Sequence, residues 1–461
     1  MNDLGDWAVG SGPLFRQLAR AVAAAVESGT LAEGYHLPSE RALAAALFVS
    51  RGTTVAAYDL LVADGLVARR QGSGTYVAGA AALGLPDGRE GSPLVHRLVE
   101  RSHGPSALID LSISVLHDAD GLAAVSLSSA DLRAVAPETG YSPWGSSGLR
   151  ALVAGHVTDW GLPTSPGQVV ITTGAQQGIS AAAACWLRPG DEVVVEDPGY
   201  PGALSAFAQA GARLVGVPVD RHGVCLDELR RALAGRPALL YLQPTVQSPT
   251  GTVLPEARRR AVAELVREFR VPLVEDLALA DLCWEQAPPP VAAHCPEASV
   301  AVVGSLSKVL WGGLRLGFVR APEALALRFA RIKATSDLGS SAVSQIVAER
   351  LLSGPHDPWT SRNRELRHRY DVLAGSLSEH LGSWSWDEPA GGLSIWVRLD
   401  GADAERFART ALRHGVAVAT AAPLSASGLH GDRIRLSFAA PPAVLRHGVE
   451  RLRRAWEASE T

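Results

Sequence analysis

Lysine is nearly absent from this chain. Of 461 residues, 43 are Lys or Arg, and only Lys308 and Lys333 are lysines. Where arginine serves for almost every positive charge, a surviving lysine marks a position that guanidinium cannot fill: guanidinium stays protonated in proteins, whereas a desolvated amine becomes a nucleophile. Paired cysteine is absent too. Cys185, Cys225, Cys283 and Cys295 are scattered with no CxxC spacing, which excludes a disulfide framework, and Cys283, His294 and Cys295 lack a fourth ligand at zinc-like spacing, so no metal is expected. No apolar run approaches the ~18 residues needed to cross a bilayer, and no basic stretch followed by an apolar run opens the chain. A cytoplasmic protein with no membrane partner is expected. An excess of positive charge is missing as well: the formal net charge is −4, so any nucleic-acid role has to come from local placement.

What is there, at 47% hydrophobic and 20% charged residues, is ordinary globular composition, long enough for more than one domain. Residues 1–78 form one unit. Leu14, Leu18, Val22 and Val26 recur at i, i+4 as one helix face; Ser39 caps a second helix with Leu43 and Leu47 inward; Ser50 caps a third that stops at Gly65. "LVARRQGSGTYV" then reads as two short strands around a Gly-Ser-Gly turn. Three helices and a β-ribbon predict a winged helix-turn-helix. Residues 79–108, rich in Ala, Gly and Pro, read as a linker. From 109 to 461, strands such as "QVVITTG", "DEVVVEDPG", "ALLYLQP", "VPLVEDLA" and "SVAVVGS" alternate with helices, predicting an α/β domain with a mostly parallel sheet; the last hundred residues predict a smaller α+β lobe.

Lys308 follows the strand "SVAVVGS" in "GSLSKVLWGGLRLGF", flanked by Ser305 and Ser307, whose hydroxyls suit a phosphate, with Arg315 seven residues on. An amine there suits a Schiff base with a carbonyl cofactor such as pyridoxal 5'-phosphate. Such a site also needs a carboxylate for the pyridinium nitrogen, donors for the phosphate and a flat group over the ring. Asp276 ends an apolar strand, where an acid is costly unless it faces a cation or an N–H⁺. Gly174, Ala175 and Gln176 form a strand-to-helix turn able to offer backbone N–H groups to phosphate. Tyr200 in "EDPGYPG" is the flat candidate.

The succession of "TGAQQG", "EDPGYPG", "QSPTG", "VEDLALADL" and "SLSKVLWGGLRLGF" resembles the fold-type I aminotransferases across about 109–461. The resemblance implies that Lys308 is the imine-forming lysine, Asp276 the partner of the ring nitrogen and Tyr200 the stacking ring. It also implies that Gly174, Ala175, Gln176, Ser305, Ser307 and Arg315 surround the phosphate. Arg435 in "RIRLSF", with Arg433 as its near competitor, falls where that family grips the substrate carboxylate. Tyr141 in "YSPWGSSGLR" resembles the residue that reaches the cofactor phosphate of a partner subunit, implying a homodimer. Two positions depart from the pattern. Ser248 stands where the family has Asn in Asn-Pro-Thr-Gly, and Ala278 where it has a Tyr two residues after the Asp. Both family residues meet the cofactor's phenolic oxygen, so a site that holds pyridoxal phosphate but transaminates poorly is expected.

The first unit resembles the GntR family of winged helix-turn-helix regulators through "GTLAEGYHLPSERALAAALFVSRGTTVAAYDLLVADGLVARRQGSGTYV". That implies Ser50, Arg51, Thr53 and Thr54 at the groove-facing turn, Arg41 on the backbone, and Gly72, Ser73 and Gly74 at a wing tip, all on double-stranded operator DNA. Six arginines against seven acids in residues 1–78 give about −1, yet Arg41, Arg51, Arg69 and Arg70 fall on the expected DNA side. Together the halves resemble the MocR-type regulators, whose aminotransferase-like domain senses pyridoxal phosphate or a small amino compound and alters DNA binding, in a head-to-tail dimer. A working aminotransferase with an accessory DNA-binding segment is the alternative, and a domain that has lost its cofactor and only dimerises is a third.

Overall fold

The computed structural model describes residues 7, 13–27, 31, 35–63, 66–70, 74–77, 108–116, 122, 125–135, 139–354 and 358–460. Gly65, Gly72, Ser73 and residues 79–107 of the expected linker lie outside them. The chain divides into two compact units, Met1–Glu90 and Gly91–Thr461.

In the first unit, α1 (Leu14–Glu27), α2 (Glu40–Leu47) and α3 (Arg51–Ala63) pack around Leu18, Val22, Leu43, Ala57, Tyr58 and Leu61. Ser39 caps α2 by accepting from Ala42 N at 3.2 Å, and Ser50 caps α3 by accepting from Thr53 N at 3.1 Å. The wing strands β2 (Val67–Arg70) and β3 (Gly74–Val77) are antiparallel, and β1 (His36–Leu37) adds to β3 as a third strand. Two residues of strand give too short a pattern to be read from sequence.

Two expectations for this unit are corrected. Thr54 is fully buried, and its hydroxyl engages the carbonyls of Glu40 and Arg51, both at 2.9 Å, so it ties α3 to the start of α2 instead of facing a groove. Arg69 is ion-paired to Asp59 at 2.7 Å and to Glu40 at 3.5 Å, which removes it from the free cations on the expected DNA side.

The second unit is built on an eight-stranded sheet in the order β5 (Val169–Thr172), β12 (Gly317–Arg320), β11 (Val300–Ser305), β10 (Leu273–Asp276), β9 (Leu239–Leu242), β6 (Glu192–Asp197), β7 (Arg213–Asp220), β8 (Gly223–Val224). The run from β11 to β7 is parallel; β12 is antiparallel to both its neighbours, and β8 to β7. Strands β5, β9, β10, β11 and β12 are buried along their whole length, which is why they read as continuous apolar runs and not as alternation. Apolar clusters form on both faces, one around Val194, Leu240 and Phe318, the other around Val195, Tyr241 and Val303.

A smaller lobe follows as expected. The sheet β13 (Ser385–Trp386), β14 (Ser394–Arg398), β17 (Arg433–Ser437), β16 (Ala419–Thr420) is antiparallel. The helices Pro358–His380 and Pro442–Glu460 join it around Leu373, Ile395, Leu436 and Leu452. The two-residue strand β4 (Ile109–Asp110) pairs in parallel with β15 (Val416–Ala417), which seats the start of the unit in this lobe.

A Cβ at Gly317 would lie 2.6 Å from the Gly304 carbonyl oxygen and 2.8 Å from Ala175 N, both backbone atoms that cannot rotate away. Gly155, in the helix Ser147–Asp159, has open space around it. Gly317→Ala is expected to destabilise the second unit by about 1–3 kcal/mol, and Gly155→Ala to stabilise it by up to about 1 kcal/mol. Urea denaturation followed by tryptophan emission measures both.

Candidate functional site

Ligands of open α/β sheets bind beyond the carboxyl ends of the parallel strands. Thr172, Asp197, Asp276 and Ser305 end β5, β6, β10 and β11 at that edge. At the end of β5 the chain turns through Gly174, at φ 85°, which caps the helix Ala175–Trp186. Glycine is favoured there because any side chain is strained at that φ, and the Arg315 guanidinium lies close by, 2.9 Å from where a Cβ would be. Arg315 itself adopts φ 52° and donates to the Thr173 carbonyl at 3.2 Å, so a guanidinium and the first-turn N–H groups of a helix share one concavity. That combination suits a phosphate.

Of the other residues expected around the phosphate, Ser305 is buried at its strand end. Ser307 donates its single proton to the Leu316 carbonyl at 3.2 Å, and would have to rotate to donate elsewhere. Gln176 spans to the next loop, donating to the Gly202 carbonyl at 2.8 Å and accepting from the Tyr200 hydroxyl at 3.2 Å. Tyr141 is 68% exposed and, among the described residues, makes no side-chain hydrogen bond within its own chain.

The ring end of the site lies around Lys308. Its Nζ donates to the Ser114 carbonyl at 2.9 Å, and the amine is pushed down to about 8 by burial, then by Arg435 and Arg315, against the pull of Asp276. Asp276 is 1% exposed; its Oδ2 accepts from the Tyr241 hydroxyl at 2.6 Å and its Oδ1 from the Ala278 N–H at 2.8 Å. Burial raises its carboxyl, while these two donors and the Lys308 charge favour the ionised form. Burial, then the Asp276 charge, pushes the Tyr200 phenol up to about 12, so it stays neutral. Ser248 is buried; its N–H donates to Gln243 Oε1 at 2.7 Å, and among the described residues its hydroxyl has no partner.

Arg435 lies on β17, directly across from Trp396 of β14. It is 4% exposed and donates to the Ser112 carbonyl at 2.6 Å, while its Nε and the nearby Ser114 Oγ are buried without hydrogen-bond partners among the described residues. Burial pushes Arg435 down to about 10. Arg433, its competitor in the sequence, is only partly buried and is not among the charges acting on Lys308.

Sequence reasoning missed Tyr241, Gln243, Ser112 and Ser114. Tyr241 was hidden inside the apolar strand "LLYLQP", and the two serines contribute through backbone carbonyls, which carry no residue-type signal. Glu196 was missed too: fully enclosed, with one carboxylate oxygen on the Gln243 N–H at 2.7 Å, it is pushed up to about 8 by burial.

In the first unit Arg41 and Arg51 are exposed, as expected of DNA contacts, and Ser50 and Thr53 share a hydrogen bond at 2.8 Å. Gly74, at φ 95°, is needed because a Cβ there would lie 2.5 Å from His36 Nε2, so its demand for glycine is met inside the unit.

The profile of the family "Aminotransferase class I and II" matches residues 107–452, and that of "Bacterial regulatory proteins, gntR family" matches residues 14–77. The HTH-type transcriptional regulator YisV of Bacillus subtilis is 32% identical over 84% of this chain and 84% of its own. A rhizopine catabolism regulatory protein of Rhizobium meliloti, MocR, is 28% identical over 97% of this chain and 95% of its own. Among solved structures, the α-aminoadipate aminotransferase LysN of Thermus thermophilus, complexed with N-(5'-phosphopyridoxyl)-L-leucine, superposes with a TM-score of 0.70 at 29% identity, covering 79% of this chain and 94% of its own. The chain belongs to the aminotransferase class I and II family, in the MocR-type arrangement in which that domain follows a gntR-family helix-turn-helix.

Proposed function

We propose that this chain is a cytoplasmic transcription regulator that grips operator DNA with residues 1–78 and senses pyridoxal phosphate, or a small amino compound presented to it, with residues 109–461, joined through 79–108. The observation that carries the sensing half is the Lys308 amine, enclosed between Asp276, Arg315 and Arg435 and pushed down to about 8. Pyridoxal phosphate is the cofactor that the family implies, and the side chains fit it. Gly174 leaves room for the Arg315 guanidinium, Asp276 is oriented by two donors, and Arg435 keeps an unpartnered Nε. When bound, the cofactor supplies an electrophilic carbonyl and an electron-withdrawing ring.

The chain's own residues then divide the work. Arg315, the N–H groups of Ala175 and Gln176, Ser305 and Ser307 hold the phosphate. Tyr241 and Ala278 N–H favour the ionised form of Asp276 and aim it at the ring nitrogen. Tyr200 covers the ring, Lys308 provides the amine, and Arg435 takes an effector carboxylate through its planar fork. A carboxylate arriving at Arg435 competes with the Ser112 carbonyl, its present partner, and Ser112 lies in the stretch that directly follows residues 79–108. Occupancy is thereby felt where the chain leads back to the DNA-binding unit, and the effector shifts a head-to-tail dimer between two states by its differential affinity for them. Tyr141, exposed in one subunit, reaches the partner's phosphate site. Ser248 and Ala278 leave the phenolic oxygen short of donors, which favours sensing over turnover.

Lys308→Ala is expected to abolish the visible absorbance band of the bound cofactor and the cofactor's effect on operator binding, with wild type turning over amino acids slowly at most. Identical responses of wild type and variant in both assays would overturn the sensing role, and fast, saturable formation of keto acid would favour the enzyme.

The pH dependence of cofactor uptake follows from the amine. Only the neutral form is a nucleophile, so the association rate should rise about tenfold per pH unit below about 8 and level off above it. Stopped-flow absorbance measures this, and a rate independent of pH between 6 and 9, on the order of those limits, contradicts it.

In the first unit, Arg51→Ala should weaken operator binding by about 1–3 kcal/mol without changing the melting temperature. Thr54→Val should lower stability by about 1–3 kcal/mol, since the Glu40 and Arg51 carbonyls lose their hydroxyl partner, and leave the affinity of the folded protein unchanged. Fluorescence anisotropy and thermal melts separate the two.

A further inference from the structure

Lys333 is the other lysine of the chain, and the proposed mechanism does not use it. It lies in the last turn of the helix Glu323–Ser336 with 2% exposure. Burying an ammonium costs several kcal/mol unless charge-assisted hydrogen bonds offset it. Lys333 Nζ has three: to Asp337 Oδ1 at 2.9 Å, Asp337 Oδ2 at 2.8 Å and Gln177 Oε1 at 2.8 Å. An i, i+4 ion pair at the end of a helix accounts for the contacts with Asp337 alone. It does not account for Gln177, which belongs to the helix Ala175–Trp186.

Gln177 and Asp337 are tied to each other and both also reach one further residue, Thr173. Gln177 Oε1 also accepts from Thr173 N at 2.8 Å, and Gln177 Nε2 donates to Asp337 Oδ2 at 2.7 Å. The Thr173 hydroxyl donates to Asp337 Oδ2 at 2.9 Å and lies 3.3 Å from Ser340 Oγ. Thr173 is thus fixed by its N–H and its hydroxyl, while its carbonyl receives Arg315. The next residue is Gly174, against which Arg315 lies. Past Asp337 the same loop is wedged against the segment that carries Tyr141, since a Cβ at Gly339 would sit 2.7 Å from the Ser142 carbonyl oxygen.

We infer that Lys333 is a positioning residue for the phosphate half of the site: through Gln177 and Asp337 it locks Thr173, and with it the aim of Arg315 and of the helix N-terminus behind Gly174. The inference rests on the pyridoxal phosphate reading and deepens it, because it assigns the chain's second lysine to the phosphate and not to the ring. Lys308, Asp276 and Tyr200 sit on other strands and loops, so removing Lys333 loosens one end of the site and leaves the other.

The test compares pyridoxal 5'-phosphate with pyridoxal, which has the same ring and carbonyl but no phosphate, on full-length wild type, Lys333→Met and Asp337→Asn, each below its own melting temperature. Lys333→Met removes the buried charge together with its bonds, whereas Asp337→Asn keeps the ammonium on Gln177 and removes its counter-charge, so the two variants disturb the cluster in different ways and either one that folds carries the test. Absorbance titration should show affinity for pyridoxal phosphate falling roughly tenfold or more in both variants while affinity for pyridoxal changes less than about twofold. Inorganic phosphate should also compete less well with pyridoxal phosphate for the variants than for wild type. Proportional losses for both ligands mean a structural role only, and no loss for either means no role; both outcomes overturn the inference while leaving the cofactor reading intact. Wild type that takes up neither ligand overturns that reading, and this inference with it.

Discussion

Charge balance at the carboxyl end of the central sheet is the constraint on which the site depends. Arg435 and Arg315 both act on the Lys308 amine there, and Asp276 is the acid that opposes them. Lys308 and Arg435 are withdrawn from water while Arg315 stays exposed, and the acids that oppose them are Asp276 at Lys308 and Asp110 at Arg435, an arrangement that water would stabilise better than protein does. Two devices moderate it: the Lys308 amine gives up its proton more readily than usual, and Lys308 and Arg435 rest on the carbonyls of Ser114 and Ser112. A neutral carbonyl is a weak substitute for an anion. A phosphate and a carboxylate would complete the balance, which is why the same end of the sheet offers a helix N-terminus beside Arg315 and an unpartnered Nε on Arg435.

The side chains that make this possible are spread along most of the second unit, and the fold brings them together because parallel strands deliver their last residues to one edge. Asp276 is informative for that reason. Its strand is buried throughout, so the carboxylate cannot reach solvent, and a tyrosine from the neighbouring strand and an amide two residues on favour its ionised form against the burial that raises it. Arg435 comes from the smaller lobe, so a ligand that engages both Arg435 and Lys308 bridges lobe and sheet. Ser112 and Ser114, which now occupy those cations, follow directly on β4, whose pairing with β15 anchors the entry of the chain into the lobe.

Much of this was legible because reactive residues in scarce supply stand out. Lys308, Asp276, Gly174 and Arg315 could be read from type and position, since each sits at a strand end or in a turn whose chemistry is local. The mostly parallel sheet was legible from repeated apolar runs, and α2 and α3 from their serine caps. Tyr241 was not, because its hydroxyl emerges from a strand whose other residues are apolar, and only the register with Asp276 reveals its partner. Thr54 was misread for the converse reason. Being polar and on the first turn of α3, it looks like a groove contact until the crossing of α2 and α3 buries it against the Glu40 carbonyl. Ser112 and Ser114 act through main-chain oxygens and leave no mark in the residue pattern, while Lys333 stands out by its scarcity but acts through two intermediaries, so its target does not show.

The same division between the ends of the site bears on why it should sense. In the proposed reading, anchoring of a phosphate rests on Arg315, the Gly174 turn and the bonds that fix Thr173, and the structure brings these together. Polarising the ring depends in addition on donors to the phenolic oxygen, and there the chain has Ser248 and Ala278. The surroundings of Ser248 are not loose: its N–H is held by Gln243, whose own N–H is held by the buried Glu196. The backbone is therefore positioned as a donor site requires, and only the side chain is short. At Ala278 the amide is committed to Asp276, so no rearrangement of that backbone can replace an absent hydroxyl without releasing the carboxylate. In the proposed reading affinity and electronic activation are set by different residues, and the two departures from the family pattern fall in the second group alone. In that reading the site keeps its phosphate anchors and lacks part of the polarisation on which rapid turnover depends.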